Sequence, residues 1–357
     1  MGRRVERRWG VFILAALILI MCLTGCEGEG EGSGKKDKAD DDKVSIGMCF
    51  DSFVIERWQR DRDVFVSTAK EFGAEVNIQN ANGDPAQQKA QIEYFIKSGM
   101  DVIVIICIDS AEIADSVKKA QDAGIKVIAY DRPIKGTDVD LYISFDNEKV
   151  GEMMGQAIVK NDVKNGKVLM ICGSLTDFNV PMVEEGFRRI MRQNGNEIID
   201  TFYCAGWKAD EAGNYVYQNM DKVVKADAIM CGNDDLASRV VHALAEKRLA
   251  GKILVAGQDA DLEACQRIVE GTQLMTVYKP IEKLAQRAAQ SAVAMANGEV
   301  IEDDNLSEYD DGTEKVPYLK IDPVSVTESN INDVIIKSGF HLKEDVYLNV
   351  PSKMPSD

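Results

Sequence analysis

The sequence predicts an α/β protein of two lobes, each a parallel β-sheet covered by helices, joined by three crossings that act as a hinge. Three observations carry this. Short apolar runs alternate with helical stretches along the chain, the pattern of sheets buried on both faces. Nearly every apolar run ends in polar residues of ligand type, and this recurs in both halves. The helical stretch after Lys279 has no strand partner left in the second half. It therefore returns to the first lobe, and the extended segment near Tyr318 crosses again. Two consecutive domains with one linker are the competing reading.

The chain starts with Arg3, Arg4, Arg7 and Arg8, then an apolar stretch from Val11 to Leu23 that is short for a bilayer span. Leu23-Thr24-Gly25-Cys26 ends it and resembles a bacterial lipobox. The expectation is a lipoprotein signal peptide over residues 1–25 with Cys26 lipidated, weighed against an ordinary signal peptide or a membrane anchor. Residues 26–43 are rich in Gly, Glu, Asp and Lys and read as a flexible acidic tether. The body is thus expected outside the cytoplasm, held on the outer face of the cell membrane.

From Val44 onward, helices are expected over Glu56–Phe72, Pro85–Lys97 and Ala111–Ala123, with Gly73, Gly99 and Gly124 at their ends. A further helix begins near Glu148. The second half adds helices near Val183–Asn194, Ala209–Val223, Asp235–Lys247 and Leu262–Glu270, then Ile281–Asn297 after Lys279-Pro280. Glu302–Thr313 is acidic and reads as loop, and Tyr318–Thr327 as one late extended segment. The hinge is expected at Asp146–Glu148, Lys279–Pro280 and residues 310–320. The first lobe would hold residues 44–147 plus 281–315, the second 148–280 plus 316–345.

Composition bounds the function. The net charge of −17 becomes −20 once residues 1–25, with four Arg and one Glu, are removed. Such an acidic surface opposes nucleic-acid binding. With only His242 and His341, a Ser-His-Asp triad or a His-rich metal site has little support. Glycine-rich nucleotide motifs are absent from the sequence. No catalytic residue, metal or cofactor is expected. Of eight Cys, Cys49, Cys107, Cys172 and Cys231 fall in strand-like runs and read as buried hydrophobes. Cys204 and Cys265 are less defined; an exported protein could form a disulfide, and the sequence singles out no pair.

The polar residues at the run ends suit polyol recognition. Carboxylates accept hydrogen bonds, Arg and Lys donate, and Asn does both. Aromatic faces cover the C–H face of a sugar. Beyond the signal segment the chain has two tryptophans, Trp58 and Trp207, one per half. Trp58, on a helix start beside Arg57, also suits a core position.

Several longer motifs resemble the D-xylose-binding proteins of sugar ABC transporters. They are Ile55-Glu56-Arg57-Trp58-Gln59-Arg60-Asp61-Arg62-Asp63, Ala129-Tyr130-Asp131-Arg132, Ile143 through Gly151, Gly257 through Leu262, and Gly271 through Pro280. The resemblance spans about residues 44–345. It implies the type I periplasmic-binding-protein fold, two Rossmann-like lobes with three crossovers. It implies that Arg57, Trp58, Asp131 and Arg132 line the first lobe, that Asn179, Trp207, Asn233 and Asp259 line the second, and that Lys279 lies at the hinge. The implied partners are a monosaccharide, xylose or a related pentose or hexose, and the membrane subunits of an ABC permease. The protein is expected to be monomeric. A sugar sensor of the same fold, signalling to a membrane kinase or chemoreceptor, is the alternative. Phe178, Val180-Pro181 and Asp51-Ser52-Phe53-Val54 are less polar than the family pattern.

Overall fold

Two sheets organise the protein, and a computed structural model describes residues 43–55 and 57–355. The expected signal peptide, Cys26 and nearly all of the tether lie outside the described residues. The described residues fall in one compact unit, Lys43–Asp357.

The first half runs β1 (Ser45–Phe50), α1 (Arg57–Glu71), β2 (Glu75–Asn80), α2 (Pro85–Lys97), β3 (Val102–Ile105), α3 (Ser110–Asp122), β4 (Lys126–Tyr130) and β5 (Leu141–Phe145). Helix α2 starts where Asp84 accepts from the Ala86 amide at 2.9 Å and Pro85 needs no donor. Strand β3 shows why the sheet is buried on both faces. Val102 and Val104 enter one core with Phe65, while Ile103 and Ile105 enter another with Phe95.

The second half runs α4 (Asn147–Lys160), β6 (Lys167–Cys172), α5 (Asn179–Gln193), β7 (Glu197–Tyr203), α6 (Ala209–Gln218), α7 (Met220–Val223), β8 (Ala228–Cys231), α8 (Asp234–Glu246), β9 (Leu254–Gln258), α9 (Leu262–Glu270) and β10 (Met275–Tyr278). Its sheet divides side chains in the same way, Val168 and Met170 to one core, Leu169 and Ile171 to the other. Helices α4 and α5 touch at Gly151 and Gly186. A Cβ at Gly151 would strike the Val183 carbonyl, and one at Gly186 the Glu148 carbonyl. This close crossing fixes α5, whose first residue, Asn179, faces the cleft.

The chain then returns. Helix α10 (Ile281–Ala296) packs on α1 and on β3–β5. Strands β11 (Leu306–Asp310), β12 (Lys315–Ile321) and β13 (Val324–Thr327) follow, and a short helix α11 (Lys343–Val346) packs on α9. The first sheet has the order β11-β12-β5-β4-β3-β1-β2, the second β13-β10-β9-β8-β6-β7. All pairings are parallel except β11 with β12 and β10 with β13.

Two expectations are corrected here. Glu302–Thr313 is not wholly loop, because β11 forms an exposed edge strand inside it. The Tyr318–Thr327 segment is two strands in different sheets. Strand β12 stays in the first sheet, in register with β5 from Tyr318 opposite Tyr142 to Ile321 opposite Phe145. The third crossing therefore falls between Ile321 and Val324, later than residues 310–320, and residues 316–321 belong to the first lobe. Cys49, Cys107, Cys172, Cys204 and Cys231 are buried free thiols, and Cys265 is buried as well.

Candidate functional site

A narrow cavity lies between the carboxyl ends of the two sheets. Its empty volume is about 520 Å³. All nine residues expected at a ligand site line it: Arg57, Trp58, Asp131 and Arg132 from the first lobe, Asn179, Trp207, Asn233 and Asp259 from the second, and Lys279 at a crossing.

Arg57 is the electrostatic centre of the first lobe. It donates to Asp131 Oδ2 at 2.7 Å and to both Asp61 oxygens at 3.2 Å. Its guanidinium lies 4.4 Å from the Trp58 ring centroid. Tyr130 donates to Asp61 at 2.5 Å, which fixes that carboxylate behind Arg57. Burial pushes Asp61 up despite Arg57. Burial also pushes against the Asp131 carboxylate, yet Arg57, Lys279 and Arg132 outweigh it and hold Asp131 below the usual carboxylate range.

Contacts cross the cleft directly. Arg132, held in the first lobe by Asp51 at 2.7 Å, reaches Asp177 of the second at 2.8 Å. Asn179 donates to the Asp131 carbonyl at 2.9 Å and accepts from Tyr142 at 3.0 Å and Asn147 at 2.9 Å. Arg57 stands 3.9 Å from Asp259, and Lys279 pairs with Asp259 at 3.1 Å. The lobes are closed.

The second lobe shapes the other wall. Trp207 lies over Gly173, where a Cβ would run into its ring. The Asn233 oxygen caps α8 by accepting from Leu236 at 2.9 Å, which leaves its amide NH₂ for the cavity. Asp131, Trp207 and Asp259 adopt left-handed φ of 63°, 59° and 100°. Such conformations concentrate at functional sites because the surrounding structure must hold them. The indole nitrogens of Trp58 and Trp207 and the Gln258 side-chain oxygen are buried without a hydrogen-bond partner. Asp259 Oδ1, ion-paired with Lys279, likewise accepts no hydrogen bond, so two donors and two acceptors face the cavity unsatisfied. Trp58 serves twice, since it also packs edge-on against Phe50 in the core.

Sequence reasoning missed some contributors. Asp61 sits one helical turn from Arg57, a spacing that could have revealed it. Asp177 and Asn147 also line the cavity, and Gln258 ends the β9 run. His341 reaches the Ala260 carbonyl at 2.8 Å beside Asp259. The C-terminal segment folds back on the second lobe and carries it there. Among the described residues no group of His, Cys, Asp and Glu is arranged to hold a metal ion.

Known proteins match this arrangement. A family model described as "Periplasmic binding protein domain" covers residues 46–300. The chain is 40% identical over 313 residues to a "D-xylose-binding periplasmic protein" of Haemophilus influenzae, covering 85% of this chain and 92% of that one. It is also 40% identical to a "D-xylose-binding periplasmic protein" of Escherichia coli, covering 85% and 93%. A carbohydrate transporter solute-binding protein from Chloroflexus aurantiacus, solved with D-glucose, superposes with a TM-score of 0.78 at 25% identity, covering 85% of this chain and 98% of that one. These relatives are binding proteins rather than enzymes. The chain belongs to the periplasmic binding protein family, with the type I fold of two parallel-sheet lobes closing on one cleft.

Proposed function

We propose that this protein is an extracytoplasmic solute-binding protein that captures a monosaccharide, D-xylose first among them, and delivers it to an ABC permease. One observation carries the reading: a closed cavity between two lobes, walled by charged and amide side chains and two tryptophans whose buried N–H groups have no protein partner. Hydroxyl groups accept from such donors, and the carboxylates and Gln258 accept in return. The D-xylose-binding relatives at 40% identity support the choice of sugar. The nine residues Arg57, Trp58, Asp131, Arg132, Asn179, Trp207, Asn233, Asp259 and Lys279 form the sugar site. Closure is favoured because a ligand contacts both lobes at once.

The body is anchored through lipid on Cys26, a reading supported by the basic start, the short apolar run and Leu23-Thr24-Gly25-Cys26. Cys26→Ser should release the protein from the membrane fraction. Retention of that variant in membranes would rule out the lipid anchor.

The central test is tryptophan fluorescence of the unit Lys43–Asp357, titrated with xylose, ribose, arabinose, galactose and glucose. A saturable change strongest for xylose is expected. No response to any sugar would sink the sugar assignment.

A further inference from the structure

Asp234 follows Asn233 but does not line the cavity, and it is 1% exposed. Its Oδ2 accepts from Thr276 Oγ1 at 2.6 Å and from the Asp261 amide at 3.3 Å. Its Oδ1 accepts from Gln273 Nε2 at 2.8 Å. The Gln273 amide is pinned in this orientation, because its oxygen accepts from Arg267 at 2.9 Å and its nitrogen also donates to the Met275 carbonyl at 3.1 Å. Both Asp234 oxygens therefore face donors. Thr276 Oγ1 in turn accepts from the Ala260 amide at 3.1 Å. Gly257 gives the carboxylate room, since a Cβ there would meet Asp234 Oδ1.

These bonds clamp the amides of Ala260 and Asp261, directly after Asp259. Asp259 and Ala260 have φ of 100° and 57°, a region L-residues avoid unless held. We infer that Asp234 is a positioning residue for ligand capture: with Thr276 it holds the Asp259–Ala260 backbone left-handed, so that the Asp259 carboxylate faces Arg57 and Lys279. The inference rests on the reading of the cleft as a sugar site.

Charged and titratable groups surround this clamp from each neighbouring element. They are Asp235 on α8, Cys231 on β8, Arg267, Glu263 and Cys265 on α9, Asp259 and Asp261 on the loop, and His341 from the tail. Burial pushes the Asp234 carboxyl up to about 7, with Thr276, Arg267 and Gln273 opposing and Asp259 adding. A proton on either oxygen would face groups that now donate, so the clamp should loosen as pH falls through that range.

The test uses Asp234→Asn, which keeps the shape but replaces one of the two acceptor oxygens with an amide donor, so that either Gln273 or the Thr276 and Asp261 side loses its acceptor. D-xylose affinity by calorimetry should weaken about tenfold or more near pH 8. Amide exchange at Ala260 and Asp261 should quicken while strand β6 stays protected. Wild-type affinity should fall from about pH 8 to about pH 6, and Asp234→Asn should be flat. His341→Gln should keep the wild-type slope. If Asp234→Asn does not fold, Thr276→Val reads the same clamp through affinity and exchange, with Thr276→Ser restoring both. Unchanged exchange at Ala260 and Asp261 would overturn the inference, as would unchanged affinity in a protein that binds sugar. If the wild type binds no sugar, the functional reading falls, and the clamp is decided by exchange alone.

Discussion

Arg132 and Asp177 form an ion pair across the cleft, 2.8 Å apart, both nearly fully buried and contributed by different lobes. Arg132 is already held by Asp51 and the Cys107 carbonyl in its own lobe. Its Nε is the group that meets the second lobe. The pair therefore ties the two lobes together directly, without a ligand between them.

Asp177→Ala should leave the Arg132 Nε without an acceptor in the closed form, at about 1–3 kcal/mol. Affinity for every sugar that binds should drop by a similar factor, mostly through faster release. The measurement is stopped-flow dissociation for two sugars. A change in their affinity ratio would place Asp177 in sugar discrimination instead of closure.

Asp259→Ala and Asp131→Ala remove carboxylates that Lys279 and Arg57 face at 3.1 and 2.7 Å. Each leaves a buried cation with fewer partners and takes acceptors from the cavity. D-xylose binding should weaken well over tenfold, about 1.4 kcal/mol or more, in each variant. Wild-type affinity in both would contradict the site assignment.

Much of this site was legible in the sequence because parallel strands end where their ligands bind. Asp131, Asn233, Asp259 and Lys279 each follow an apolar run, and each lines the cavity. Local sequence marks a strand end but not the partner across the cleft, so the capture of Arg132 by Asp177 was hidden. Strand β11 was hidden for another reason. Its residues Leu306–Asp310 are mostly exposed, with acidic Glu308 and Asp310 among them, and lack the buried face that gives a strand its alternation. Pairing with β12 makes it a strand, and that is a tertiary fact. The same holds for β12, whose place beside β5 moved the third crossing past Ile321.

Gly173 should tolerate no side chain. Gly173→Val would push against the Trp207 ring, which lies where its Cβ would go. Overpacking of this kind costs about 1–3 kcal/mol. Here the indole can yield toward the cavity. The expected result is a changed tryptophan emission maximum and lost sugar binding with modest loss of thermal stability. Wild-type emission together with wild-type binding would show that Trp207 does not depend on Gly173.

Stability should depend on pH through Asp234 in the direction opposite to affinity. Its folded pKa is raised to about 7 by burial, whereas an unfolded Asp titrates near about 3.9. Between these values the folded state binds more protons than the unfolded state, so stability falls as pH rises. The contribution is fully present below the unfolded value and is lost as pH climbs through about 7. Asp131 acts the other way: its depressed folded pKa gives stability that is present above the unfolded value and lost in acid. Urea denaturation across about pH 4 to 8 should therefore show a downward slope in the wild type that is reduced in Asp234→Asn. The difference between the two curves isolates the Asp234 contribution from Asp131 and the other carboxylates. Parallel curves would mean that the Asp234 carboxylate titrates alike in the folded and unfolded chain, which its burial among Thr276, Gln273 and Gly257 makes the unexpected result.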